Sequence, residues 1–215
     1  MKLVTLLLLA IVVGFVLSEP LPVPSRPEGY LFRASPDAKV RLDVYEDIQC
    51  SDCQAFDPPF KAFLNTTHEG RPITDFIEVV FHTYILPVHT HSFTISQLQP
   101  FIWDLHHDGE ILAKFNEWCF EHLDEYKGEV WYTWSQNDVI DKICSDTAGL
   151  FGYTEQECHK VFKERTYVMT LHSEQKYGAY QRVYSTPGVF INSVQITDIP
   201  SDAKSWESLM LPFVK

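Results

Sequence analysis

Hydrophobic and polar positions divide the chain into alternating stretches, helical stretches and breaks. Val40-Arg41-Leu42-Asp43-Val44-Tyr45 alternates and is rich in β-formers, so it predicts a strand. Gln54 to Leu64 predicts a helix, with Pro58-Pro59 as an early kink. Thr74 to Tyr84 has a β-branched and aromatic centre and predicts a second strand, paired parallel with the first. The next stretches are helical. Leu98 to His107 is one, with Pro100 either in its first turn or kinking it, and Asp108-Gly109 ends it. Glu110 to Tyr126 is another, with Ile111, Leu112, Phe115, Trp118, Cys119, His122 and Leu123 on one face. Ser135, with Asp138 three places on, caps a short helix to about Thr147. Thr154 with Glu157 is a capping box opening one long helix as far as Gln181. Val183 to Asn192 predicts a turn into a strand, which Asn192-Ser193 folds back as a hairpin with Val194-Gln195-Ile196. Ala203 to Leu209 is a last helix. The order β, α, β, helical block, hairpin, α predicts an α/β fold with a helical subdomain.

The amino-terminal pattern differs. Met1-Lys2 precedes an apolar run from Leu3 to Leu17, then Ser18-Glu19-Pro20. The run is short for a membrane span, and Val16 and Ser18 suit a cleavage site. Residues 1–18 are therefore expected to be a secretory signal peptide, with a signal anchor as the alternative. Residues 19–37, with Leu21-Pro22-Val23-Pro24-Ser25-Arg26-Pro27, are expected to be a proline-rich, extended leader. The domain then occupies 38–215, its helical insertion about 92–182. Asn65-Thr66-Thr67 is an acceptor triplet for N-glycosylation at Asn65. The final residues, Leu211-Pro212-Phe213-Val214-Lys215, do not match a lysine-aspartate-glutamate-leucine retention signal. Secretion or an endomembrane lumen is the expected location, with no membrane attachment after signal removal. A formal charge of −12 argues against nucleic acid and anionic membrane surfaces as partners.

Cysteines carry the candidate chemistry. Cys50-Ser51-Asp52-Cys53 stands where a strand ends and a helix begins. A sulfur at a helix N-terminus meets partial positive charge that favours thiolate. Cys144 and Cys158 lie in neighbouring helices joined by a glycine-containing turn, and a structural disulfide between them is expected. Two buried thiols, or pairing of Cys119 with either, are the alternatives. Cys119 is otherwise a buried, inert thiol. No metal site is expected: no second Cys-x-x-Cys exists, and His82, His89, His91, His106 and His107 are scattered. For His89 and His91, capping or solvent exposure is preferred over a place beside the active-site groove. For Trp131, Tyr132 and Trp134, packing between helices is preferred over an exposed patch.

Tyr45-Glu46-Asp47-Ile48-Gln49-Cys50-Ser51-Asp52-Cys53 resembles the active-site entry of the thioredoxin superfamily, most closely its DsbA-like branch, where an aspartate three residues before the first cysteine is common. Leu86 to Phe93 resembles the loop leading into that branch's helical insertion. Ser185-Thr186-Pro187-Gly188-Val189-Phe190-Ile191-Asn192 resembles its cis-proline strand. The resemblance covers roughly residues 38 to 210. It implies a thioredoxin-like fold with an inserted all-helical subdomain. It implies a nucleophile at Cys50, a buried resolving thiol at Cys53, and a substrate-binding segment at Thr186 and cis-Pro187. It implies thiol–disulfide exchange with cysteine-containing proteins, an unidentified redox recycling partner and no dissociable cofactor.

Two positions depart from the pattern. The buried carboxylate often found six residues before the first cysteine is Val44 here, and Asp43 and Glu46 are expected to point elsewhere. Asp52, an anion before Cys53, is expected to oppose thiolate at Cys50, giving a pair less oxidising than DsbA. The competing reading is a secreted thioredoxin-fold binding or chaperone protein with a structural Cys50–Cys53 disulfide. A kappa-type glutathione transferase is weaker, because of the second cysteine.

Overall fold

The computed structural model describes residues 27–33, 35–126 and 132–214. The expected signal peptide, the first part of the leader (19–26) and Trp131 lie outside the described residues. The strands are β1 (Tyr30–Arg33), β2 (Val40–Glu46), β3 (Thr67–His68), β4 (Arg71–Pro72), β5 (Ile77–Thr83), β6 (Gly188–Ile191) and β7 (Val194–Ile196). The helices are α1 (Ser51–Leu64), α2 (Ser92–Ser96), α3 (Leu98–His106), α4 (Gly109–Glu121), α5 (Gln136–Thr147), α6 (Glu155–Glu164), α7 (Val168–Tyr180) and α8 (Ala203–Val214). Five strands form one sheet in the order β1-β5-β2-β6-β7, while β3 and β4 make a separate hairpin. β2 pairs parallel with β5 and antiparallel with β6. This is an α/β fold with helices inserted between two βα-type halves.

β2 is the centre of the sheet and is buried on both faces. Leu42 and Val44 join Phe56, Phe60 and Phe63 of α1 and Trp206 and Met210 of α8 in the main core. On the opposite face Tyr45 packs with Val183 and Phe190, and stacks on His82. Asp43 lies on that face too, with His82 Nε2 2.8 Å from its Oδ1 and the Arg41 guanidinium also donating to it. Burial lowers the His82 pKa, so this histidine belongs to a closed polar cluster behind the sheet. The inserted helices build a second core around Leu98, Ile102, Leu112, Phe115, Val139, Ile143, Cys144 and Cys158. Ile48, from the loop after β2, belongs to this second core. The loop carrying Cys50 therefore runs along the seam between the two cores.

Four features differ from the sequence expectation. Residues 30–33, expected in the leader, form β1, antiparallel to β5. Phe32 packs edge-on against Phe81, which gives a lone short strand a reason to dock. The long helix expected from Thr154 to Gln181 is broken into α6 and α7. Arg165 adopts φ 55°, left-handed, and no glycine or proline announces that break. α8 continues past Leu209 through Pro212. Tyr132 is exposed rather than packed, whereas Trp134 lies against the second core. The capping box expected at Thr154 with Glu157 is formed, and the Ser135 cap also closes into a capping box with Asp138. Among the described residues, no helix is long and apolar enough to cross a membrane.

Candidate active site

Cys50 is the N-cap of α1, with extended backbone at φ −87° and ψ 123°. Its N–H donates to the Asp47 carbonyl at 2.9 Å, and its carbonyl accepts from Gln54 N–H at 3.0 Å. Cys53 is one turn inside the helix and fully buried, and Phe120 of α4 joins both cysteines in one buried cluster. Two glutamines fasten this turn to the helical subdomain: Gln49 Nε2 donates to the Tyr126 carbonyl at 2.8 Å and Gln54 Nε2 to the Phe120 carbonyl at 2.6 Å.

The Thr186-Pro187 peptide is cis and precedes β6. Antiparallel pairing sets Gly188 opposite Tyr45, so Thr186 and Pro187 fall beside the end of β2. The Thr186 carbonyl then lies 3.5 Å from Cys50 Sγ, within reach of its thiol hydrogen. The four residues singled out from the sequence, Cys50, Cys53, Thr186 and Pro187, thus meet at one place.

The two thiols ionise very differently. A hydrogen bond from Cys53 is the main reason the Cys50 pKa falls to about 6; burial opposes it, and the Thr186 side chain and the backbone N–H groups of Cys53 and Asp52 assist. Burial pushes the Cys53 thiol well above its ordinary value, reinforced by its bond to Cys50 and by the charge of Glu46. Asp52 also acts through its backbone. Its side chain is exposed, and its backbone N–H stabilises the Cys50 thiolate. Water screens an exposed carboxylate far more than a peptide dipole at the helix start.

Glu46 departs from the sequence expectation. It was expected to point away from the site, yet it is buried and acts electrostatically on both cysteines. Successive strand residues alternate, so Leu42, Val44 and Glu46 share the face beneath α1. Burial first, then the Asp57 charge, raises the Glu46 carboxyl to about 8, while Lys61 and Asn116 pull it down. Asn116 Nδ2 donates to Glu46 Oε2 at 3.4 Å, Gln99 Nε2 to Asn116 Oδ1 at 2.9 Å, and Thr83 Oγ1 to Gln99 Oε1 at 2.8 Å. Asp57 holds Lys61 at 2.9 Å on the neighbouring face of α1.

Asp47, the aspartate of the resemblance, and His89, expected to cap or face solvent, also meet here. Asp47 is fully buried and His89 Nδ1 donates to its carboxylate at 2.8 Å. The preference for a capping or exposed His89 is thus not what the fold shows, because it is half-buried and coupled to the Cys50 charge. His91 is buried and is the N-cap residue of α2. His106 pairs with the Phe151 carbonyl, and His107 ends α3 in a left-handed turn.

The remaining cysteines lie elsewhere. Cys144 and Cys158 are joined, with Cα atoms 5.5 Å apart, and link α5 to α6. Cys119 is a free buried thiol whose pKa burial raises. Among the described residues there is no group of three or more histidine, cysteine and acidic side chains able to hold a metal. Asn65 is exposed at the C-terminal cap of α1.

Comparison with known proteins agrees with this arrangement. BdbD from Bacillus subtilis, in its oxidised form, superposes with a TM-score of 0.66 at 13% identity, covering 87% of this chain and 99% of that one. DsbA1 of the α type from Wolbachia pipientis gives 0.67 at 15% identity, with 90% and 93% covered. MdbA from Corynebacterium matruchotii, a thiol-disulfide oxidoreductase, gives 0.57 at 16% identity, with 86% and 92% covered. No curated protein sequence matches the chain. A family model described as Thioredoxin matches residues 28–210, spanning the sheet, the cysteine turn, the helical insertion and the cis-proline strand; the chain belongs to that family, with the fold of its DsbA-like members.

Proposed function

We propose that the chain is a protein thiol:disulfide oxidoreductase. The observation that carries this is the ionisation contrast within one helical turn: Cys50 at about 6 beside a Cys53 held as thiol. In the reducing direction the Cys50 thiolate attacks one sulfur of a substrate disulfide. The substrate S–S bond breaks, one substrate thiolate leaves, and Cys50 is held in a mixed disulfide. Cys53 then gives its proton to Glu46 and attacks Cys50 Sγ. The mixed disulfide breaks, the second substrate thiolate leaves, and Cys50–Cys53 has lost two electrons to the substrate. The oxidising direction runs these steps backwards, with protonated Glu46 supplying the proton to the departing Cys53. A carboxyl at about 8 can act either way near neutrality. The substrate chain lies beside Thr186, whose carbonyl faces Cys50.

The substrates are cysteine-containing proteins, and a separate redox partner recycles the pair. The apolar run behind Lys2 and the Cys144–Cys158 bridge support passage through an oxidising secretory compartment, and exposed Asn65 is available for glycosylation there. The test is insulin reduction and refolding of a reduced disulfide protein, with the wild-type chain and Cys50→Ser. The wild type should be active in at least one and Cys50→Ser in neither. Equal activity in both proteins overturns the proposal and leaves a binding protein.

A further inference from the structure

β2 and β5 run parallel, so their following loops leave the same edge of the sheet. Glu46 is in register with Thr83, and Tyr84 N–H donates to the Glu46 carbonyl at 2.8 Å. Residues 84–91 therefore lie alongside 47–50. Asp47 joins the two loops. Its Oδ1 accepts from Gln49 N–H at 2.9 Å and Ser92 Oγ at 2.5 Å. Its Oδ2 accepts from Leu86 N–H and from His89 Nδ1, both at 2.8 Å. Three of these donors are neutral. His89 is the one that can carry positive charge, and its ring is 22% exposed, open enough to exchange protons with water. Val88 beside it is 73% exposed, which places this loop at the rim.

We propose that His89, clamped on Asp47 in the loop alongside Cys50, is a positioning residue that adds to the Cys53 hydrogen bond in favouring the Cys50 thiolate: its imidazolium supplies positive charge near a helix turn whose own side chains, Ser51 and Asp52, offer none. The inference rests on Cys50 being the reacting thiol. With Nδ1–H committed to Asp47, the titrating nitrogen is Nε2. The groups acting on His89 are Asp47, whose hydrogen bond raises its pKa most, and Cys50, which raises it further; burial opposes both. From α7 the neighbouring Gln175, bonded to Ile85 on both backbone groups, is neutral. Without His89, the buried Asp47 is left three residues from Cys50 with neutral donors alone, and the thiolate faces an anion in place of an ion pair.

The coupling is reciprocal, which gives two independent readings on the full mature chain. The first is the pH dependence of Cys50 thiolate absorbance and alkylation in wild type, His89→Gln and His89→Lys. His89→Gln should raise the Cys50 inflection by about one pH unit, the size expected for losing one adjacent opposite charge, and lower the oxidising equilibrium constant against glutathione about tenfold. His89→Lys should retain at least half of the low inflection. The second reading leaves the loop untouched: NMR titration of His89 in wild type and Cys50→Ser. Its pKa should fall when the thiolate is removed. An unmoved Cys50 inflection in His89→Gln, equal shifts in Gln and Lys variants, or an identical His89 titration with and without the Cys50 sulfur would each overturn the proposal. Because these experiments read ionisation, not turnover, they can fail while the insulin assay succeeds.

Discussion

At the scale of single residues, Glu46 is the most informative side chain after the cysteines. It is a fully buried acid whose folded pKa, about 8, stands above its ordinary 4.5. Between those values the folded chain keeps a proton that the unfolded chain releases. Its stabilising contribution is complete below the unfolded value and is lost as pH rises through the folded one. Glu46→Gln keeps the shape, removes the charge and should stabilise the protein by about 2 kcal/mol near pH 7, flattening the decline in stability over that window. The same change should slow resolution of a mixed disulfide by about a hundredfold, since no group then takes the Cys53 proton. Urea unfolding at several pH values and stopped-flow trapping of the mixed disulfide measure the two effects. A variant less stable and equally fast would reduce Glu46 to a packing residue. The strand period alone makes Glu46 legible: it is two places after Val44 and must share its face. A strand ending at Tyr45 leaves Glu46 in the loop, free to turn away; β2 continues through Glu46 and fixes its face. His89 was not legible, because only the parallel register of β2 and β5 brings it to Asp47.

At the scale of elements, local chemistry told more than periodicity did. Capping boxes fixed the starts of α5 and α6 because a serine or threonine and an acid three places on satisfy each other's backbone groups. The break after α6 had no such signal, since Arg165 holds a left-handed conformation that only the surrounding packing imposes. Those two capped helices carry the disulfide, and its sequence separation is 14 residues. A bridge closing a loop of that size restricts the unfolded chain by about 3 kcal/mol. Replacing Cys144 and Cys158 together by alanine should therefore cost about 2–3 kcal/mol, read as a lower midpoint in urea, and should leave the thiolate titration of Cys50 unmoved. Non-reducing peptide mapping of the wild type should recover the Cys144–Cys158 pair with Cys119 free. A Cys119-containing bridge would contradict the arrangement of α5 and α6.

At the scale of the whole molecule, the cysteine turn sits on a seam, and its redox poise follows from both sides. The sheet side supplies the helix start and the Thr186 side chain, which lower the Cys50 pKa, and Glu46, whose charge raises that of Cys53. The helical side supplies Phe120, the carbonyls that hold Gln49 and Gln54, and the amide chain through Gln99 and Asn116. Folding together they hold Cys50 as thiolate from about pH 6 and Cys53 as thiol. A lower nucleophile pKa stabilises the reduced pair and makes the disulfide a stronger oxidant. Known pairs bracket the value: a cysteine near 7 accompanies about −270 mV in thioredoxin, and one near 3.5 accompanies about −120 mV in DsbA. This chain should fall between them, less oxidising than DsbA. The tuning comes from hydrogen bonds and a histidine across the loop, not from a cation in the helix turn. Equilibration with glutathione measures the potential. A value at or above about −120 mV, or one below about −270 mV, would show that the pKa of Cys50 does not govern the pair, and that strain or solvation of the disulfide state sets its poise instead.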